Sequence, residues 1–205
     1  MSAQVIKLGE GYYFLKITEL MTFTELSEIW EEILFLSYRS KFQLDTSTAR
    51  NENGELRSNK VGIWLDDVYL LRKFSNYFKY YKKWISDEAI SNLLSTSLYW
   101  REFTHTKTDN TLFSYYEDGK YYDEHEDTSR LTQLFWTFKQ PKKFNGGRLV
   151  FTDFNYEIDI EDNTMILFPS WFKHKVTPVI LEEKTPENRE KFLCNGRYVF
   201  TTFYN

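Results

Sequence analysis

The sequence predicts a mainly β fold of the α+β class, a sandwich or jelly roll carried by N-terminal supporting helices. Three observations predict it. From Leu98 onward, short β-branched and aromatic stretches are separated by turn residues at Asp118-Gly119, Asn145-Gly146-Gly147, Asp162-Asn163 and Pro169-Ser170. Before Leu98, apolar residues recur at helical spacing instead. Aromatics make up 19% of the 205 residues and are spread along the chain, which suits strands around a deep apolar pocket and argues against disorder.

At this length one domain is expected over 1–205, with 1–97 mostly helical support and 98–205 the jelly-roll core. The net charge of -4 is mild and mixed along the chain, so neither nucleic acid nor membrane is expected as a partner. Cys194 is the only cysteine and has no internal partner for a disulfide. With no charged-then-apolar leader and no apolar run of about 18 residues, a soluble cytoplasmic protein in a reducing compartment is expected.

In chain order, Tyr12 to Ile17 reads as a short strand. Thr22 with Glu25 forms a capping-box signature, and Leu26, Ile29, Trp30, Ile33 and Leu34 carry a helix from about Phe23 to Tyr38. The polar, aperiodic stretch 41–59 is either an active-site lid or a solvated loop. Lys60 to Leu65 reads as a strand. Asp66 or Asp67 then caps a helix running to about Lys83, and Ser86 opens another to about Ser95. Lys79, Lys82 and Lys83 read as a solvated face. The predicted strands after that are Leu98–His105, Thr111–Glu117, Leu131–Phe138, Arg148–Asp153, Tyr156–Ile160, Met165–Phe168, His174–Ile180 and Gly196–Tyr204.

The chemistry is concentrated at the end of Tyr115–Asp127, in His125-Glu126-Asp127. Residues two apart on an extended strand share a face, so His125 and Asp127 can grip one ion together. His174 follows about fifty residues later, in F-P-S-W-F-K-H-K-V. Two histidines and one carboxylate suit iron(II) and leave three coordination positions open, although zinc or manganese fits the same ligands. The third histidine, His105, has no such context and reads as surface or structural.

Around this pair stand Tyr116, nine residues before His125, Gly119, six before, and Tyr122, three before. Then come L-T-Q-L-F-W-T-F, F-N-G-G-R-L-V-F, M-I-L-F-P-S, His174 with V-T-P-V behind it, and R-Y-V-F-T-T-F-Y. In that order, over Ser114 to Asn205, the chain resembles the prolyl-4-hydroxylase-like branch of the Fe(II)- and 2-oxoglutarate-dependent dioxygenases. A fainter similarity runs through the N-terminal half, where Arg57-Ser58 matches an element that borders the active-site mouth.

The resemblance implies a double-stranded β-helix holding Fe(II) on His125, Asp127 and His174, with 2-oxoglutarate as cosubstrate and O2 as oxidant. The implied activity is hydroxylation with release of succinate and CO2. Asp127 argues against halogenation, because related halogenases lack the carboxylate ligand. A prolyl residue in a peptide or protein is the implied substrate, with free amino acids and other small molecules left open. A non-catalytic jelly-roll module that keeps a metal site is the other class of reading. The oligomeric state is left open.

For the cosubstrate, the resemblance points to Arg197, since guanidinium pairs bidentately with carboxylate. Arg197 stands 23 residues after His174, farther than the family's usual spacing, with a polar insertion over 181–196 in between. Arg189 and Lys184 in that insertion are therefore competitors. Arg197 is preferred because it opens an alternating strand with Val199, Thr201 and Phe203 on its face. Tyr116 is expected to touch 2-oxoglutarate through its hydroxyl, and Tyr122 to line the pocket. Trp136 is expected either to donate a hydrogen bond toward 2-oxoglutarate or to sit in the core. Gly146-Gly147 and Phe168-Pro169-Ser170 read as turns without chemistry of their own.

Overall fold

Seven strands form one antiparallel sheet, and the N-terminal half contributes three of them. The computed structural model describes residues 1–39, 50, 53–95, 98–183 and 195–205. A hairpin of β1 (Ser2–Gly9) and β2 (Tyr12–Thr18) leads into α1 (Phe23–Arg39). The capping box closes as its spacing requires: Thr22 N donates to Glu25 Oε2 at 2.7 Å and Glu25 N to Thr22 Oγ1 at 3.3 Å. After β3 (Val61–Trp64) come four short helices, α2 (Leu65–Val68), α3 (Asn76–Tyr80), α4 (Glu88–Ser95) and α5 (Leu98–His105). The remaining strands are β4 (Asp109–Tyr116), β5 (Tyr122–His125), β6 (Leu131–Thr137), β7 (Phe144–Gly146), β8 (Leu149–Phe151), β9 (Tyr156–Ile158), β10 (Thr164–Pro169), β11 (His174–Val176), β12 (Val179–Leu181) and β13 (Arg197–Tyr204).

Three expectations are corrected. Leu98–His105 is a helix, not a strand. Its aromatic content reads as β, but Phe103 packs on Trp84 at 5.3 Å and on Tyr204 at 5.1 Å, so tertiary contact overrides propensity. The single helix expected from Asp66 to Lys83 is broken, because Ser75 sits extended and caps a new start by accepting from Phe78 N at 3.1 Å. Asp66 caps nothing there and pairs with Arg72 instead. The strand expected over His174–Ile180 divides into β11 and β12 at Thr177-Pro178, where proline lacks an N–H for the ladder. In the N-terminal part the expected strands Tyr12–Ile17 and Lys60–Leu65 fall on β2 and β3, and with β1 they join the main sheet.

The large sheet runs β1-β2-β10-β6-β13-β4-β3, a four-stranded sheet runs β5-β11-β8-β9, and β12 pairs with β7. This mainly β, antiparallel arrangement is the expected jelly-roll class. Aromatic contacts tie the two larger sheets together, with Phe151 on β8 meeting Phe168 on β10 at 5.0 Å and Phe14 on β2 at 5.5 Å.

Strand β13 shows how alternation divides labour. It lies between β6 and β4, and residues of both parities are buried, so both of its faces are covered as well. Tyr198, Phe200, Thr202 and Tyr204 face the helices: Tyr77 stacks on Phe200 at 4.1 Å, Trp30 meets Tyr198 at 5.3 Å, and the Tyr77 hydroxyl lies 3.1 Å from Thr202 Oγ1. The other parity, Arg197, Val199, Thr201 and Phe203, faces a cavity between the sheets. Lys79, Lys82 and Lys83 pair with Glu28, Asp109 and Glu25, so that basic cluster is spent within the fold. Among the described residues no helix is long and apolar enough to cross a membrane.

Candidate active site

The cavity between the sheets has a volume of about 270 Å³, room for a small organic acid. His125, Asp127 and His174 lie at one end, and their ligand atoms are all within 4.8 Å of one another. Strand pairing brings the histidines together: β11 runs antiparallel to β5 with His174 opposite His125. Asp127 lies two residues past the end of β5, in the turn that leads to β6. Its backbone N–H donates to Ser170 O at 2.9 Å, which docks this turn on the one before β11. Asp127 Oδ1 is 3.7 Å from His125 Nε2, and Oδ2 is 3.7 Å from His174 Nε2.

Each ligand is aimed by a second contact. His125 Nδ1 lies 2.7 Å from Asp123 O, and His174 Nδ1 lies 2.8 Å from Phe172 O. A carbonyl only accepts, so each ring carries its proton on Nδ1 and turns the Nε2 lone pair toward the centre. Burial first, and His174 second, push the His125 imidazole down to about 2, which keeps it neutral and ready for metal. Tyr122 stacks on His125 at 3.7 Å and shields its outer face.

Asp127 Oδ2 accepts a hydrogen bond from Thr132 Oγ1 at 2.6 Å. Thr132 Oγ1 lies 2.9 Å from Ser170 Oγ, which lies 2.7 Å from Ser129 Oγ. With the threonine proton committed to the carboxylate, its oxygen accepts from Ser170 and Ser170 accepts from Ser129. This buried relay holds the carboxylate in place, so Ser170 does more than shape the turn the sequence suggested. Thr132 and Ser170 carry no sequence signal of their own.

At the other end stands Arg197, 1% exposed and directly opposite Tyr116 in the β13–β4 ladder. Its Cζ lies 4.6 Å from the Tyr116 ring centroid. Among the described residues, the Nε and Nη1 groups are buried without a hydrogen-bond partner. A native fold rarely leaves such donors unmet, and an incoming carboxylate would satisfy them. Burial lowers the arginine's proton affinity, and Tyr116 opposes that effect. Burial likewise pushes the Tyr116 phenol up to about 12, so it is a neutral donor at ordinary pH. Gly147, at φ +63°, leaves space for the arginine stem, since a Cβ there would come within 2.9 Å of Arg197 Cδ.

Six of the seven residues singled out by sequence line this one cavity, and Trp136 does not. Trp136 is fully buried beside the arginine, 5.9 Å from Arg197 Cζ to ring centroid, and among the described residues its indole N–H has no partner. His105 is exposed at the end of α5. The competitors Arg189 and Lys184, with Cys194, lie outside the described residues, as do 41–49 and 51–52 of the suggested lid. The described end of that loop zips onto the site: Asp123 N donates to Arg57 O at 2.8 Å and Tyr121 N to Asn59 Oδ1 at 2.9 Å. Arg57, Asn110 and Glu126 border a second hollow of about 360 Å³ just outside the metal ligands. Lys60, on the cavity wall, was not singled out by the sequence.

Residues 111–205 match the family model of the 2OG-Fe(II) oxygenase superfamily. The oxygenase match runs from β4 to the C-terminal strand and contains all three metal-ligand candidates, Arg197 and Tyr116. The fold is similar to a Pseudomonas putida prolyl-4-hydroxylase, at 13% identity and a TM-score of 0.62, covering 96% of this chain and 94% of that one. A prolyl hydroxylase from Trichoplax adhaerens, solved with a hypoxia inducible factor peptide fragment, gives 15% identity and a TM-score of 0.58 over 93% and 82% of the two chains. An oxidoreductase of the 2OG-Fe(II) oxygenase family from Burkholderia pseudomallei gives 11% and 0.53 over 96% and 85%. No curated protein matches the chain. The oxygenase match and the His-Asp-His triad fit Fe(II), 2-oxoglutarate and O2.

Proposed function

We propose that the protein is an Fe(II)- and 2-oxoglutarate-dependent dioxygenase that hydroxylates a prolyl residue in a peptide or protein, with release of succinate and CO2. One observation carries the reading: a single small cavity has a metal-ligand triad at one end and, at the other, a buried arginine with two donors unmet among the described residues. His125, Asp127 and His174 would hold the ion, and Arg197 would hold the distal carboxylate of 2-oxoglutarate with Tyr116 alongside. Bound there, Fe(II) with 2-oxoglutarate supplies the oxidising chemistry toward O2.

The chain's own residues bind, orient and keep water out. Arg197 and Tyr116 fix one end of the diacid, and Leu134 and Val199 give the cavity an apolar wall. Tyr122 over His125 covers the metal end. The hollow outside the ligands supports a peptide substrate, because Arg57 and Asn110 offer donors to backbone carbonyls there. The fold it shares with prolyl hydroxylases supports the same substrate class.

Anaerobic addition of Fe(II) and 2-oxoglutarate is expected to give the weak visible charge-transfer absorption of such complexes. In air, succinate is expected to form, and a peptide and metabolite screen should find a gain of one oxygen atom on a prolyl peptide. Absence of both absorption and succinate would favour a non-catalytic binding module. Oxygen gain on a free amino acid alone would move the substrate class.

A further inference from the structure

A second cation shares the cavity with Arg197. Lys60 lines it at 4% exposed, just before β3. Strand β3 pairs with β4 so that Val61 lies opposite Tyr115, and continuing that register sets Lys60 opposite Tyr116. Arg197 faces Tyr116 from the other side, in the β13–β4 ladder. The three residues therefore form one row across β3, β4 and β13, with the tyrosine ring between two cations. Lys60 Nζ is 5.7 Å from the Tyr116 centroid and 4.8 Å from that of Tyr122. It thus stands along the wall between the guanidinium and the metal ligands.

Burying an ammonium is costly unless an anion meets it. Among the described residues no carboxylate pairs with Lys60, and aromatic faces only soften the cost. Burial, and Arg197 after it, push the lysine down to about 7, which registers the same unmet charge. Asp127 is the one carboxylate among the described residues on this cavity wall, and it belongs to the metal. With a divalent ion bound, the wall charges sum to a clear excess of positive charge, which a dianion offsets better than a monoanion.

We infer that Lys60 is a second cationic contact for the anionic cosubstrate, forming with Arg197 a two-cation wall that selects a dicarboxylate over a monocarboxylate. This rests on the reading that the cavity takes 2-oxoglutarate. Lys60 is then a binding and specificity residue. Its ammonium approaches the diacid from the β3 side while Arg197 holds the end. The pinning of residues 57–59 on 121–123, together with Lys60 N donating to Ser58 Oγ at 3.3 Å, keeps the lysine on the wall.

The test uses full-length protein loaded with Zn(II), which supports no turnover. Calorimetry measures binding of 2-oxoglutarate and of 2-oxobutyrate, its monocarboxylate counterpart, to the wild type, Lys60→Met and Lys60→Gln. Loss of the charge is expected to weaken 2-oxoglutarate binding by roughly tenfold to a hundredfold, with a much smaller effect on 2-oxobutyrate. The thermal midpoint of ligand-free Lys60→Met should match or exceed the wild type, because a buried charge held for a ligand costs stability. Unchanged 2-oxoglutarate affinity, or equal loss for both acids, would overturn the role of Lys60 and leave the oxygenase reading standing. A lower thermal midpoint in both variants with unchanged discrimination would make Lys60 structural. Wild-type protein that binds neither acid with metal present would remove the oxygenase reading, and this one with it.

Discussion

The two ends of the cavity are built on opposite terms. At the metal end, each of the three ligands already has a hydrogen-bond partner that aims it: Asp123 O, Phe172 O and Thr132 Oγ1. At the far end, Arg197 keeps two buried donors without partners among the described residues, and Lys60 adds a second cation. The difference teaches which end the fold completes by itself. Orienting contacts cost little once strand pairing has placed the histidines, so that end is finished in advance. Unmet buried charge is destabilising, so its presence marks where a ligand is meant to finish the structure.

The comparison breaks most visibly if the metal end is removed. Asp127→Ala or His174→Ala is expected to abolish Fe(II) binding in a metal titration and to drop succinate formation to background, with the circular dichroism spectrum preserved. A mutant that still binds Fe(II) tightly would show that the triad is not the site. Next in size, Arg197→Met should weaken 2-oxoglutarate by about 30-fold or more, as expected for truncating one side of a buried charge pair, while leaving metal affinity unchanged. Arg189→Ala should leave both affinities unchanged, and the reverse order would assign the clamp to the insertion.

A smaller effect tests the relay behind Asp127. Thr132→Val should reduce metal affinity by about 10- to 100-fold and leave Arg197-dependent binding alone, measured by competition with a metal chelator. Equal affinity would mean that the hydroxyl relay is packing only.

The remaining effect is in pH and reads stability, not binding. In folded, metal-free protein His125 stays neutral down to about 2, against an ordinary value of 6.5, so the unfolded chain takes up a proton that the native one refuses. Stability is therefore expected to fall as pH drops below about 6.5, by up to about 1.4 kcal/mol per unit. His125→Asn should flatten that slope in urea melts, and an unchanged slope would locate the proton elsewhere.

Much of the site was legible because its chemistry needs particular residue types. Imidazole, carboxylate and guanidinium are hard to replace at a metal and a diacid, so His125, Asp127, His174, Arg197 and Tyr116 stand out in sequence and meet in one cavity. Lys60, Thr132 and Ser170 did not stand out. A lysine after a polar loop reads as surface, and a threonine in a strand reads as packing. Only the β3–β4 register turns Lys60 inward, and only the docking of the Asp127 turn on Ser170 joins the hydroxyls. Trp136 sits one layer too deep for the cavity wall, a distinction that alternation along β6 does not make. The helix at Leu98–His105 reads as a strand in sequence, because aromatic content does not say which surface it will cover.

By itself the sequence determined the mainly β class, the capping of α1, the divided parity of β13 and the choice of the three candidate metal ligands. Those follow from local periodicity and from the few side chains able to do the chemistry. The tertiary structure alone decided which residues share a wall, since cross-strand register joins positions distant in the chain and leaves no local trace. It also decided where the molecule holds charge without a partner. That depends on burial from every side at once, which no single stretch of residues specifies.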